Sequence, residues 1–294
     1  MVILAYVALC LIWGTTYLVI KVALEGFPPF VLGAVRFALA GIIFLPYMLR
    51  DRKRLPQTRA QWGWIALTGT MMLAGGNGLV NFAEQYIDSG LTALTVATSP
   101  AWSAVFSWMI IGESEKLDRM SLVGIALAMT GIYVLHHDHI SLSADEWPGF
   151  VALILCPPLW TLASVLSRKY LRELDAFTVS ATQMFSGAVA FGIISLIIGE
   201  SWALAPSAKA IGALLYLTVL GSVVAFTAYA YLLKRVPAAR VNTYTFINPV
   251  IALVAGAVIL SEPITPEVYP ATALILAGMG ILYAMRNRRA GQTK

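Results

Sequence analysis

The stretch Leu91–Glu113, LTALTVATSPAWSAVFSWMIIGE, returns in altered form as Arg240–Glu262, RVNTYTFINPVIALVAGAVILSE. At an offset of 149 residues Pro100 falls on Pro249, Val105 on Val254, Ile110 on Ile259 and Glu113 on Glu262. The register continues through Leu127, Ala128, Gly131 and Ile132, which fall on Leu276, Ala277, Gly280 and Ile281. Nearer the start the offset is 147, placing Trp13 on Trp160, Lys21 on Arg168 and Phe30 on Phe177. Aliphatic coincidences weigh little in an apolar chain; the matches of proline, tryptophan and glutamate carry the argument. The chain therefore reads as two versions of one unit, residues 1–140 and 141–294.

Composition says what the unit is. Of the 294 residues 59% are hydrophobic and 12% charged, with a mean hydropathy of +0.78. Soluble domains carry about 25% charged residues, so there is too little polar material here for a water-facing shell, and the apolar surface must meet lipid. Ten apolar runs near 20 residues follow one another: Val2–Leu24, Phe30–Leu49, Trp62–Tyr86, Leu91–Ile111, Asp118–Leu135, Trp147–Arg168, Ala176–Ile198, Ala210–Leu233, Ala238–Leu260 and Pro266–Met285. Each is long enough to cross about 30 Å of hydrocarbon as a helix. Their continuity excludes a β-barrel, whose strands alternate apolar and polar residues. The first run has no basic segment before it and is too long for a signal-peptide core, so it is expected to remain in the mature chain. Cys10 and Cys156 both lie inside apolar runs and read as small buried hydrophobes.

The net charge of +5 does not point to nucleic acid, because the basic residues sit in short connectors. Of the 20 Lys and Arg residues, 17 fall in the even-numbered connectors and the C-terminal tail. The opposite connectors hold Lys209 as their one basic residue and are rich in Asp and Glu. The positive-inside rule then places both termini in the cytoplasm, as expected of an inner (plasma) membrane protein. Five spans per unit is an odd number, so the second unit enters the bilayer inverted with respect to the first. Inverted repeats are a recurring architecture of secondary transporters, in which a midplane site opens to each side in turn. The expected fold is an all-α membrane protein of ten transmembrane helices, two inverted five-helix repeats around a central cavity.

Candidate pathway residues follow from the cost of polar groups in lipid. Pro100 and Pro249 sit in mid-span, each leaving the carbonyl four residues earlier (Val96, Thr245) without its usual donor; they read as kinks or gates lining a cavity. The third span carries Asn77, Asn81, Glu84 and Gln85 as a polar stripe, the fourth Thr92, Thr95, Ser99 and Trp102, and the ninth Tyr244, Thr245 and Asn248. These stripes face the bundle interior, either as interhelical hydrogen bonds or as substrate contacts. Thr16 on the first span is added to the candidate contacts. Trp62, Trp147 and Trp202 mark membrane interfaces. Trp13, Trp102 and Trp160 lie near mid-depth, where aromatic faces either pack or clamp a planar or apolar group, and Tyr229 joins them. Lys21 is close enough to a span end to snorkel. Arg36 is deeper; Glu84 is a candidate partner, and both read as structural charges. The run His136-His137-Asp138-His139 has metal-ligand chemistry but no second cluster to complete a site, and no metal or cofactor is expected. Gly75, Gly76, Gly78, Gly278 and Gly280 read as sites of close helix packing. There is no His-Glu-x-x-His motif and no intramembrane Ser–His pair, so an enzyme is not expected.

Taken in order, these marks resemble the drug/metabolite transporter superfamily, in its ten-helix EamA-type branch: Trp13-Gly14-Thr15 with Lys21, then Pro28-Pro29, then Arg36-Phe37, with Ser99-Pro100 and Glu113 answered by Asn248-Pro249 and Glu262. Trp160-Thr161 departs from the Trp-Gly of the first half. The resemblance implies a basket of helices with a cavity lined mainly by helices 1, 3, 4, 6, 8 and 9, helices 5 and 10 lying peripheral. It also implies export of small metabolites, commonly amino acids, from the cytoplasm; the mid-depth aromatics are compatible with aromatic amino acids. The expected substrate contacts are Trp13, Trp102, Trp160 and Tyr229 around an apolar part and Asn77, Asn81, Ser99 and Asn248 at polar ends. With no carboxylate at mid-depth, facilitative flow is expected over ion coupling, proton-coupled antiport and sugar-phosphate or nucleotide-sugar exchange being the alternatives. The expected partners are a small-molecule substrate and the lipid bilayer, in a monomer or homodimer.

Overall fold

Hydrocarbon offers no partner for a backbone N–H or C=O, so each apolar run closes its hydrogen bonds within itself as a helix. The computed structural model describes residues 1–50, 55–136, 147–233, 235–236, 241 and 243–292. It contains α1 (Val2–Leu24), α2 (Pro29–Arg50), α3 (three continuous pieces, Arg59–Gly69, Thr70–Asn77 and Gly78–Ala83) and α4 (Ser89–Val96 and Ser99–Ile111). Then come α5 (Arg119–His136), α6 (Trp147–Tyr170), α7 (Ala176–Ile198), α8 (Ala208–Tyr216, Leu217–Val224 and Ala225–Leu233), α9 (Tyr244–Ile259) and α10 (Val268–Gln292). Local chemistry sets several starts. Pro29 opens α2, where its missing N–H costs nothing. Thr58 and Gln61 form a reciprocal capping box at α3, and the side chains of Asp175 and Ser207 accept backbone N–H bonds at the starts of α7 and α8.

Helix pairing obeys the inverted repeat. α1 packs on α8 and α9, and α6 packs on α3 and α4; α2 packs on α7, α5 on α10, and α4 on α9. Moving every helix number by five maps this pattern onto itself, as a pseudo-twofold relation requires. The α2–α7 seam is aromatic, with Phe37 stacked on Phe191 at a centroid distance of 5.7 Å and both rings buried. The far side of α7 shows Val189, Ile193, Leu196 and Ile197 outward, Ile197 at 77% exposure, as a lipid-facing surface does. α5 and α10 meet through Gly124 and Gly278, where a methyl group on either would strike the other's carbonyl. Gly280, by contrast, faces open space and packs on nothing. Trp62, Trp147 and Trp202 stand exposed at or beyond helix ends.

Two irregularities recur in both halves. α3 and α8 each contain a π-helical stretch, Thr70–Asn77 and Leu217–Val224, and these coincide at the offset of 147. A π-turn widens the helix and loosens its carbonyls from the regular ladder. α4 and α9 each end on a left-handed residue, Gly112 (φ 104°) and Ser261 (φ 57°), mates at the offset of 149. The two prolines behave differently. α4 breaks at Ala97 and Thr98, Pro100 enters the first turn of its second piece, and Ser99 Oγ donates to the Val96 carbonyl at 2.6 Å. That carbonyl is the one Pro100 cannot serve. Pro249 instead lies inside the unbroken α9.

Carboxylates of the second half cap helices of the first. Phe30 N and Val31 N donate to Glu200 at 3.1 and 2.9 Å at the start of α2. Glu262 accepts from Ser89 N, Ser89 Oγ and Gly90 N at 3.0, 2.8 and 3.3 Å at the start of α4. Each anion answers the free N–H groups and positive pole of a helix N-terminus.

Candidate functional site: a cavity between the halves

A cavity of about 150 Å³ lies level with the middle of α1 and α6. Both halves line it: Trp13, Thr16 and Tyr17 of α1, Arg36 and Phe37 of α2, Gly76 and Asn77 of α3, Ser99 of α4, Trp160 of α6, Phe226 of α8, and Tyr244, Thr245, Asn248 and Pro249 of α9. α5, α7 and α10 contribute nothing to the lining. α2, absent from the expected set of lining helices, contributes its charge.

The aromatic wall is built from three helices. Trp13 meets Tyr244 edge-on at 4.9 Å and Phe226 edge-on at 5.4 Å between ring centroids. Its indole Nε1 donates at 3.1 Å to the carbonyl of Gly221, inside the π-helical stretch of α8. Trp160, its repeat mate, presses on the corresponding stretch of α3: a Cβ at Gly76 would sit 2.9 Å from the Trp160 ring. Thus each half's first helix carries a tryptophan seated on the other half's π-turn.

Seven expected contacts come together here: Trp13, Thr16, Asn77, Ser99, Trp160, Tyr244 and Asn248. They are not equally available. Thr16 Oγ1 donates to the Trp13 carbonyl, and Ser99 Oγ to that of Val96. Asn248, with its amide turned to suit its neighbours, donates to the carbonyls of Tyr244 and Cys10 at 3.1 and 3.2 Å, tying α9 to α1. The side-chain amide of Asn77, the last residue of the π-stretch, hydrogen-bonds no described residue. Three expected contacts lie elsewhere. Asn81 is buried outside the lining, its Nδ2 donating to the Pro29 carbonyl at 3.0 Å. Trp102 lies outside the lining and stacks on Phe106 at 6.1 Å. Tyr229 stands behind the wall, 5.5 Å from Trp13 and 6.1 Å from Tyr244. Pro249 lines the cavity and Pro100 does not.

Arg36 and Glu84 do not pair. Arg36 Nε donates to Ser222 Oγ at 3.0 Å, at the level of the α8 π-stretch. Glu84 ends α3 further along, in the field of Lys21 and Glu262, with both carboxyl oxygens buried and unbonded among the described residues. Tyr17 and Phe226 line the cavity without being among the expected contacts. Tyr17 lies four residues from Trp13, so helical spacing was a usable signal; Phe226 carried none. His136 is buried against Thr95, its Nε2 2.9 Å from Thr95 Oγ1. His137, Asp138 and His139 lie outside the described residues.

Ion pairs bracket the cavity. At the end away from the termini, Lys21 Nζ stands 2.8 Å from Asp88 Oδ1 and 3.4 Å from Glu262 Oε1. At the end carrying the termini, Arg168, the mate of Lys21, reaches Glu115 at 3.0 Å and Ser107 Oγ at 3.3 Å. The first helix of each half therefore holds a cation that grips the segment following the fourth helix of the other half. Glu113, the mate of Glu262, is 79% exposed and pairs with Lys116.

Comparison with known proteins agrees with this architecture. The chain is 35% identical over 253 residues to "Uncharacterized inner membrane transporter YedA" of Escherichia coli (strain K12), covering 86% of this chain and 80% of that one. It is 23% identical over 279 residues to "Uncharacterized transporter YoaV" of Bacillus subtilis (strain 168), covering 95% of each. It is 25% identical over 288 residues to the "Probable amino-acid metabolite efflux pump" of Escherichia coli (strain K12), covering 95% and 94%. A crystal structure at 20% identity superposes with a TM-score of 0.69 over 97% of each chain, which shows the fold alone. Residues 1–136 and 147–284, the two halves whose tryptophans, π-turns and helix-end glutamates answer one another, each match the EamA-like transporter family, and the chain is a membrane transporter of that family.

Proposed function

We propose that the chain exports small amphipathic metabolites, amino acids foremost, from the cytoplasm through this cavity by facilitative alternating access. The observation that carries the reading is the pairing of an aromatic wall (Trp13, Phe226, Tyr244) with an uncommitted amide, Asn77, in a space built by both halves. Aromatic faces accept an apolar group, and a free amide offers a donor and an acceptor to a polar end. A cavity of about 150 Å³ is below the range of drug-sized ligand pockets, which favours a compact metabolite. The similarity to an amino-acid metabolite efflux pump supports the same class. Alternation would open the ion-pair grip at one end while that at the other holds, with bending at the α4 break.

The test is counterflow in proteoliposomes loaded with unlabelled amino acids and offered labelled ones. Saturable exchange is expected for at least one aliphatic or aromatic amino acid, and absence of exchange across all twenty would overturn the reading. Glu84, buried with both oxygens unbonded, supports proton coupling as a second reading. Uptake against the substrate gradient, driven by an imposed pH gradient and lost in Glu84→Gln, would replace the facilitative reading with that one.

A further inference from the structure

Among the described residues that line the cavity, one carries a formal charge, and the charge is positive. We infer that Arg36 is the receptor for a carboxylate on the transported molecule, so that the substrate is a monocarboxylate with an apolar remainder. The inference rests on the reading of the cavity as the transport site.

Arg36 is 4% exposed, in the second span of a membrane protein. A guanidinium stays protonated under all ordinary conditions, so burial leaves it charged and in want of an anion. None is supplied by the described residues. Its Nε is bound to Ser222 Oγ, and its Cζ lies 4.8 Å from the centroid of Phe37. The nearest acids in depth are committed to another layer: Asp88 and Glu262 flank Lys21, and Glu84 does not line the cavity. Nη1 and Nη2 hydrogen-bond no described residue, and Arg36 belongs to the cavity wall.

The orientation narrows the ligand. The bond from Nε to Ser222 anchors the guanidinium to the π-turn of α8 and leaves the end-on pair Nη1 and Nη2, two N–H donors matching the two oxygens of a carboxylate. One positive charge balances one negative charge. A phosphate monoester, more than singly charged near neutrality, would bring negative charge that no other described lining residue balances, beside the rings of Trp13, Phe37, Phe226 and Tyr244. Those rings suit an apolar remainder, with Asn77 left for one further polar group.

The probes are leucine, leucinamide, 4-methylpentanoate and inorganic phosphate, acting on the purified full chain. The readouts are quenching of intrinsic tryptophan fluorescence, since Trp13 and Trp160 line the cavity, and competition in the counterflow assay. Leucine and 4-methylpentanoate are expected to bind at least tenfold more tightly than leucinamide, and phosphate to compete with neither. Arg36→Gln should abolish the preference for acid over amide, and Arg36→Lys should keep a reduced one. A purely structural Arg36 would change expression or melting but not this ratio. Equal binding of acid and amide by the wild-type protein would overturn the inference, whether or not Arg36→Gln folds. So would phosphate competing as well as the acids, failure of both acids to bind, or survival of the preference in Arg36→Gln. Counterflow of leucine with equal competition by leucinamide would sink the carboxylate assignment while leaving the transport reading standing.

Discussion

Asn77 carries an amide with no hydrogen-bond partner among the described residues, at the end of a π-turn, whereas Asn248 spends its amide on the carbonyls of Tyr244 and Cys10. The two side chains share chemistry and a cavity, and their substitution should have different consequences. Asn77→Ala removes one hydrogen bond to a substrate, about 0.5–1.5 kcal/mol, so an apparent affinity weakened roughly two- to tenfold in counterflow is expected, with the melting temperature unchanged. Asn248→Ala removes a tether between α1 and α9 worth about 0.6–2 kcal/mol, and should lower the melting temperature in detergent. Equal melting of the two variants would refute the division. Ser99 teaches the same lesson. It lines the cavity, yet its proton is already given to the carbonyl that Pro100 leaves without a donor.

The ends of α4 and α9 show how a short element is steered. Ser261 adopts φ 57°, a left-handed conformation that brings Glu262 back over Gly256 toward the start of α4. A Cβ in that region costs about 1–2 kcal/mol, and the equivalent position in the first half is Gly112. Ser261→Gly should therefore raise stability by up to about 1 kcal/mol, read as a higher melting temperature; a lower one would mean that the serine side chain contributes more than its backbone costs. Glu262 has three donors to satisfy and is 8% exposed, while Glu113 is exposed. This asymmetry sits on a symmetric chain pattern.

Helix pairs related by a shift of five, two π-turns in register and two left-handed helix ends in register make one pseudo-twofold object of the chain. The charge asymmetry of its connectors predicts cytoplasmic termini, so a cysteine at Arg172 is expected to react with an impermeant maleimide only after cells are permeabilised, and one at Glu25 in intact cells. The reverse pattern would overturn the expected cytoplasmic placement of the termini. Much of this was legible before any coordinates. Runs of about 20 apolar residues can only be helices in lipid, an odd number of them per repeat forces inversion, and scarce residues such as Trp13 and Trp160 mark the repeat. That Trp13, Trp160, Asn77 and Tyr244 face the bundle interior was legible from polar and aromatic character at mid-depth, which suits packing and interhelical hydrogen bonds as well as a ligand. What the letters could not hold is the phase of each helix where it departs from 3.6 residues per turn. The α4 break separates the phase of Thr92 and Thr95 from that of Ser99, and the π-turns of α3 and α8 created seats for both tryptophans. The partner of Arg36 was likewise a matter of depth, since Glu84 ends α3 outside the cavity lining and Arg36, within it, bonds Ser222. Span, order and inversion are properties of the chain's hydropathy and are settled locally. Which side chains share one space depends on helix phase and axial level, and packing between the halves alone sets those.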